Sequence, residues 1–572
     1  MNQRSTPRSL VTLLLWSLPV LFLTLFYFYP MGNILKLSLA RQSGNPLAPF
    51  LEIFQSRATL HVIGFTFYQA LLSTFLTLLL GLPTAYLVSH YTFRGKSMLL
   101  ALSGVPFVMP TLVVAAAFNA LLGPSGWVNT GLMSLFDLSK PPLQFTNTLG
   151  AILLAHVFYN TTIILRTVGD FWSHLDPRLG QAAQVLGANR WQAIQKVSLP
   201  LLLPVIASAA LLVFIFDFTS FAVILILGGP RFVTMEVEIY SQTVSFLNLP
   251  LAAALAIMQL IFTLVMTIFY THFSNRLTRP LNLRPQAYTQ RKLTSWRSRI
   301  LAGFMVGLLL LLMTAPLVSL AMRSVTRFET VRGQRGSVFK GFTLDYYREL
   351  NINRRESLFY ASPLTSIAIS LSYASVTVIL ALALGLPASW ALVRDSRSKI
   401  NQILDPLLML PLGTSAVTLG LGFIVSLDRP PLDLRTSPLL VPLAHTLVAF
   451  PFVVRSLAPS LRSIRPRLRQ AAATLGASPW QVLRQVDLPL VGRAILVAAT
   501  FAFAISLGEF GATALIARPE YPTIPLAIYR MISNPGALFY GQAMALSTIL
   551  MVVAGVGMLA IERFRIADVG EF

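Results

Sequence analysis

No cysteine occurs in the 572 residues, which excludes disulfides, thiolate metal sites, iron–sulfur clusters and cysteine nucleophiles. Charge is also scarce: Asp, Glu, Lys and Arg together make up 11% of the chain, while 55% is hydrophobic. A soluble domain carries roughly one quarter charged residues, so the composition places the chain in lipid. Acidic residues are the rarer sign, 21 against 44 basic, giving a net charge of +23. The basic residues fall in short clusters between long apolar runs, the distribution that membrane insertion imposes, and without interleaved base-stacking aromatics. Membrane orientation rather than nucleic acid accounts for the charge. Only six histidines are present, scattered and without a HExxH pattern, so a catalytic zinc site has no support. No catalytic constellation and no metal site are expected. Gly95-Lys96-Ser97 resembles the end of a phosphate-binding loop, but His90 stands where that motif requires its first glycine.

What is present is a series of apolar runs long enough to cross a hydrocarbon core, each about 20 residues. Twelve are expected, giving an all-α integral membrane protein: near 10–30, 60–88, 98–122, 148–168, 202–228 and 250–272, then 299–322, 363–393, 401–426, 438–457, 491–516 and 536–562. Arg4 and Arg8 precede the first run, which is longer than a signal-peptide core and is read as a retained span. An even count puts both termini in the cytoplasm. The linker carrying Arg276, Arg279, Arg284, Arg291, Lys292 and Arg297 then faces the cytoplasm, as does the loop carrying Arg462, Arg465, Arg467, Arg469 and Arg484. One stretch runs against the rule. Arg323, Arg327, Arg332, Arg335, Lys340, Arg348, Arg354 and Arg355 fall on the outer side.

The chain repeats itself. Ala155-His156 recurs as Ala444-His445, Arg166 as Arg455, Pro177-Arg178-Leu179 as Pro466-Arg467-Leu468 and Ile239-Tyr240 as Ile528-Tyr529, always 289 positions on. Upstream, Gly81-Leu82-Pro83 recurs as Gly385-Leu386-Pro387 at an offset of 304, so the first half holds 15 extra residues, which the expected outer loop 123–147 can absorb. Duplicated halves commonly enclose a central path. The expected division is a first helix and outer loop over 1–59, a first transmembrane domain over 60–272, a linker with the seventh helix and an outer loop over 273–362, a second domain over 363–562 and a cytoplasmic tail over 563–572.

The best-matched stretch lies in a loop. Gln181-Ala182-Ala183, three residues, then Gly187 and, further on, Leu199-Pro200 are matched by Gln470-Ala471-Ala472, Gly476 and Leu488-Pro489. Each copy reads as a short helix, a glycine turn and a second short helix, with small residues that let another surface approach and a proline at a natural helix start. This pattern resembles the Glu-Ala-Ala loop of binding-protein-dependent ABC importer permeases, with Gln181 and Gln470 where that family usually has Glu. The resemblance covers about 60–272 and 363–562. It implies the type I importer permease fold and assigns both loops to coupling helices seated on an ATP-hydrolysing subunit. Phe218-Thr219-Ser220-Phe221-Ala222 leading to Leu227-Gly228-Gly229-Pro230, with Ser506-Leu507-Gly508-Glu509-Phe510-Gly511-Ala512, are similar to the fused iron(III) and thiamine importer branch.

The resemblance further implies a homodimeric ABC ATPase that holds ATP and magnesium, an extracytoplasmic solute-binding protein, and no cofactor on this chain. A secondary transporter of two six-helix halves also explains the spans and the duplication, but has no need of matched docking loops. A membrane enzyme or scaffold would need a reactive constellation that the sequence does not offer. Inside the spans, Asp217 and Glu509 are costly in lipid and are hypothesised to line or gate the path; the alternative is that each bonds neighbouring backbone or serine and fixes packing. His156 and His445 share one repeat position and are expected to be hydrogen-bonded core residues.

Overall fold

The computed structural model describes residues 8–39, 48–276, 290–330, 337–352, 362–394, 398–428 and 432–564. Arg4, Arg279, Arg284, Arg332, Arg335, Arg354, Arg355 and most of the tail, 565–572, lie outside the described residues.

The first half runs through α1 (Thr12–Ser38), α2 (Arg57–His90), α3 (Lys96–Val108), α4 (Thr111–Leu122), α5 (Trp127–Phe136), α6 (Leu149–His174), the short α7 (Arg178–Val185), α8 (Leu199–Phe218), α9 (Met235–Val244) and α10 (Leu249–Arg276). The second half repeats it with α11 (Trp296–Ser324), α12 (Pro363–Arg394), α13 (Lys399–Gly413), α14 (Ala416–Ser426), α15 (Leu440–Ser463), α16 (Pro466–Thr474), α17 (Leu488–Gly508), α18 (Ile524–Ser533) and α19 (Ala537–Phe564). Among the described residues, eleven helices are long and apolar enough to span a membrane, or twelve if α13 and α14, bent by 97° at their junction, count as one. The helical membrane architecture in two halves is therefore as expected.

Four details differ from the uniform spans. The third run divides into α3 and α4 at Met109-Pro110, because a proline disfavours helical geometry in the residue before it. The expected outer loop 123–147 holds the helix α5, which together with α4 makes up one of these spans, Thr111–Phe136. The fifth and eleventh runs break after Phe218 and Gly508, leaving short helices Ala222–Leu227 and Gly511–Ile516 beyond. The polar-flanked helices α9 and α18 were not anticipated.

Among the described residues, three π-turns, Thr24–Phe28, Ile194–Ser198 and Leu483–Asp487, each end two residues before a proline: Pro30, Pro200 and Pro489. Proline lacks the N–H that would bond four residues back, so the backbone widens there instead of breaking. Small residues set the helix spacing, as expected where packing rather than hydrophobicity drives association. A Cβ on Gly81 would lie 2.8 Å from Ile164, and one on Gly385 would lie 2.4 Å from Val453. The repeat thus keeps one close crossing, α2 on α6 and α12 on α15.

The halves interlock through their first helices. α1 packs on α12 and α14, and α11 packs on α4 and α19. Trp16 Nε1 donates to Asn401 Oδ1 at 2.7 Å, the Tyr27 and Thr414 hydroxyls meet at 2.7 Å, and Asn33 Nδ2 donates to Ser426 Oγ at 3.1 Å. Asn401 also donates to the Ala391 carbonyl at 2.7 Å. Asn401→Leu strands the indole N–H, so we expect a loss of about 2 kcal/mol, read as a lower Tm of the detergent-solubilised protein.

The two ends of the bundle differ. At one end lie α7, α16 and the linker, whose β2 (Arg291–Lys292) pairs in parallel with β1 (Tyr91–Thr92). At the other, β3 (Thr326–Thr330) and β4 (Ser337–Phe342) form an antiparallel hairpin against α5 and α19. Arg323, counted above among the contrary charges, is buried beneath this hairpin: its Nη1 donates to the Thr326 carbonyl and its guanidinium lies 5.1 Å from the Tyr540 ring centre. It acts as a packing element there.

Candidate functional site

The two loops have one geometry. In the first, Leu186 N–H bonds the Ala182 carbonyl and Ala188 N–H reaches back to Ala183 at 3.0 Å, closing α7 with Gly187 at φ +92°. In the second, Leu475 N–H bonds Ala471 and Ala477 N–H bonds Ala472 at 3.0 Å, with Gly476 at φ +86°. This is the helix-terminating turn that glycine favours, because its left-handed residue carries no Cβ. The next short helix opens with a reciprocal cap: Asn189 N–H donates to Gln192 Oε1 and Gln192 N–H to Asn189 Oδ1. Ser478 and Gln481 make the same exchange.

Of the residues singled out in the sequence, Gln181, Ala182, Gly187, Leu199 and Pro200 are exposed and Ala183 is half-buried. Gln470, Ala471, Gly476 and Pro489 are exposed, with Ala472 and Leu488 half-buried. Between them stand side chains that the sequence pattern did not single out. Leu186 and Leu475 are each 88% exposed, and Trp191 and Trp480 are 65% and 67% exposed. They project among exposed Gln184, Gln192, Gln481 and Lys196, with Leu186 and Leu475 on the turns and Trp191 and Trp480 at the first residues of the apolar stretches Trp191–Phe218 and Trp480–Gly508. Exposed apolar side chains rimmed by polar residues are the surface found at protein–protein and membrane contacts. The loops differ at their base: Arg469 Nε pairs with buried Asp487 at 2.8 Å, where the first copy has Gly180 and Ser198.

Deep in the bundle, each half joins its histidine to one carboxylate. His156 Nε2 lies 2.9 Å from Ser220 Oγ, and its Nδ1 lies 3.4 Å from Asp217 Oδ1, which also accepts from Asn160 at 2.6 Å. His445 Nδ1 lies 2.8 Å from Ser506 Oγ, and its Nε2 lies 3.1 Å from Glu509 Oε2. The repeat pairs Asp217 with Ser506 and Ser220 with Glu509, so serine and acid have exchanged places around a fixed histidine. Both carboxylates are buried and turned toward their own half. Glu509 also accepts from the Ala512 and Thr513 N–H groups and from the Thr513 hydroxyl, capping the helix Gly511–Ile516. A third buried acid escaped the sequence reading. Glu236 accepts from Gln259 and, across the halves, from Ser415 at the bend between α13 and α14, each at 2.6 Å.

Immediately after these acids, the halves meet. Phe221 and Phe510 stack with ring centres 5.5 Å apart and planes within 19°. Tyr240 of α9 lies 5.3 Å from Phe221, and Tyr529 of α18 lies 5.4 Å from Phe510. Their signal in the sequence was the identical residue type at identical offset.

Residues 77–279 and 381–566 match the family model of the binding-protein-dependent transport system inner membrane component. Known relatives include the thiamine transport system permease protein ThiP of Escherichia coli strain K12, 27% identical over 501 residues that cover 86% of each chain. ThiP of Haemophilus influenzae is 26% identical over 517 residues, 89% of each chain. ThiP of Brucella abortus strain 2308 is 28% identical over 514 residues, 89% of this chain and 87% of that one.

Proposed function

The chain belongs to the family of binding-protein-dependent transport system inner membrane components, and from that premise we propose that its cargo is thiamine and that its two loops seat a separate ATPase homodimer. As a member of this family it is a multi-pass inner-membrane permease of an ABC importer, with both halves on one chain. The observation that carries the coupling role is the pair of loops: two copies of one exposed apolar turn, held in one geometry at equivalent places in the repeat. A two-fold partner needs two such sites, and one fused chain offers both. ATP and magnesium would be held by that partner, and an extracytoplasmic binding protein would deliver cargo at the hairpin end, with both termini of the chain cytoplasmic. Similarity to thiamine permeases over most of both chains supports thiamine ahead of iron(III).

The test is a pull-down of the tagged chain from its native membrane, combined with uptake of labelled thiamine. An ATPase should co-purify, and uptake should require the chain and be competed by unlabelled thiamine but not by ferric citrate. Competition by ferric citrate alone would move the cargo to iron(III). Recovery of no ATPase would bring the secondary-transporter reading forward.

A further inference from the structure

We propose that Phe221, Phe510, Tyr240 and Tyr529 close the translocation path and, when the halves part, form a stacking slot for a planar, positively charged heteroaromatic ring. The proposal rests on the reading of the chain as a thiamine permease and deepens it by locating where the ring system is recognised.

Position is the first argument. Phe221 and Phe510 are equivalent residues, 289 positions apart, and they touch each other. Two equivalent residues can be in contact only on or beside the axis that relates the halves. A path between the halves follows the same axis, so the stack lies across it. Both rings are buried, 7% and 2% exposed, whereas Tyr240 and Tyr529 are half-buried and so reach open space. The closure sits in the part of the bundle away from the loops. Ser220, beside Phe221, bonds His156, which lies only seven residues, about 10 Å, into α6 from the end opposite the loops.

Chemistry is the second argument. Nearly parallel rings expose two flat π-faces when they separate, and a gap wider by one ring thickness, about 3.5 Å, admits another planar ring. Tyrosine and phenylalanine faces attract a cation through the ring quadrupole. The nearest acids are buried outside the stack, 1% and 8% exposed: Asp217 Oδ1 accepts from Asn160, and Glu509 is held by its helix cap and His445. The slot therefore offers faces rather than an ion pair, which suits a cargo that must leave as readily as it enters. Thiamine has this chemistry, a planar cationic thiazolium joined to a planar pyrimidine; a hydrated ferric ion has none of it.

The complete transporter, with its ATPase and binding protein, is the system for the test. Phe221→Leu with Phe510→Leu keeps bulk and removes both faces, so thiamine uptake should fall about ten-fold or more while ATPase capture is unchanged; Phe221→Tyr with Phe510→Tyr should stay near wild type. Wild-type uptake by the Leu pair would overturn the slot. The absence of native cysteine permits a second readout. Phe221→Cys should react with a membrane-impermeant maleimide only while ATP is hydrolysed, and thiamine should protect it where choline, a non-planar cation, does not. If the wild-type chain moves no thiamine, the cargo reading fails, yet this labelling still reports whether the stack opens. Equal protection by choline, or equal labelling without ATP, would overturn the proposal.

Discussion

Replacing Gly187 and Gly476 together with tryptophan is expected to abolish transport and ATPase capture while leaving the chain inserted and folded. Both glycines sit at positive φ, +92° and +86°. A side chain there incurs a backbone cost of about 1–2 kcal/mol per residue, small beside the many contacts that hold the bundle. Steric room is not the obstacle, since a Cβ at either position meets nothing within 4 Å. The added indole therefore stands out into the space where Leu186, Trp191, Leu475 and Trp480 are displayed. A partner seated on those side chains would be held off by the new bulk. Loss of roughly 3 kcal/mol of contact energy at each loop corresponds to more than 100-fold in affinity per site. Alanine separates the two effects, because it carries the same backbone strain and almost no bulk. Gly187→Ala with Gly476→Ala should retain most capture and transport, measured by pull-down and uptake at matched expression. If alanine and tryptophan were equally damaging, the turn itself rather than the surface beyond it would be what matters.

The loops were legible in the sequence because their constraint is local. A glycine at one fixed offset from two alanines, ahead of a Leu-Pro, encodes a turn that neighbours need not complete. The spans were legible for a similar reason, since apolar length alone decides what can cross a bilayer. What the sequence did not disclose depends on meeting across distance. Phe221 and Phe510 were visible as repeat-related residues, but that they stack follows from how two halves close on an axis. Exchange of Asp217 and Glu509 with serine is invisible until His156 and His445 supply the common centre. Glu236 lies in a short stretch too polar to be read as membrane-embedded, and only the Ser415 hydroxyl from the other half reveals its place. The contrary charge of Arg323 likewise dissolves once its burial against Tyr540 is seen.

The two buried acids, similar in sequence context, should respond differently to neutralisation. Glu509 receives four donors or near-donors: Ala512 N–H at 2.8 Å, Thr513 N–H at 3.2 Å, the Thr513 hydroxyl at 2.7 Å and His445 Nε2 at 3.1 Å. Glutamine has one acceptor oxygen, so its amide N–H₂ must face at least one of these donors. Removing charge from a buried group that others were arranged to meet costs about 2–4 kcal/mol, and Phe510, the next residue, would lose its fixed backbone. Glu509→Gln should thus lower the Tm by several degrees and reduce thiamine uptake severely. In Asp217 the demand is lighter. Oδ1 takes the Asn160 bond at 2.6 Å, while Oδ2 makes no hydrogen bond among the described residues and lies beside Ser73. An asparagine can keep its oxygen toward Asn160 and turn its nitrogen to the open side, where the Ser73 oxygen is available as an acceptor. Asp217→Asn should leave stability within about 1 kcal/mol of wild type. Uptake then becomes informative for this residue alone, because a transport defect in a fully stable Asp217→Asn protein would tie its charge to the path. Equal destabilisation by both substitutions would show that the cap on Gly511–Ile516 is not what sets the Glu509 requirement.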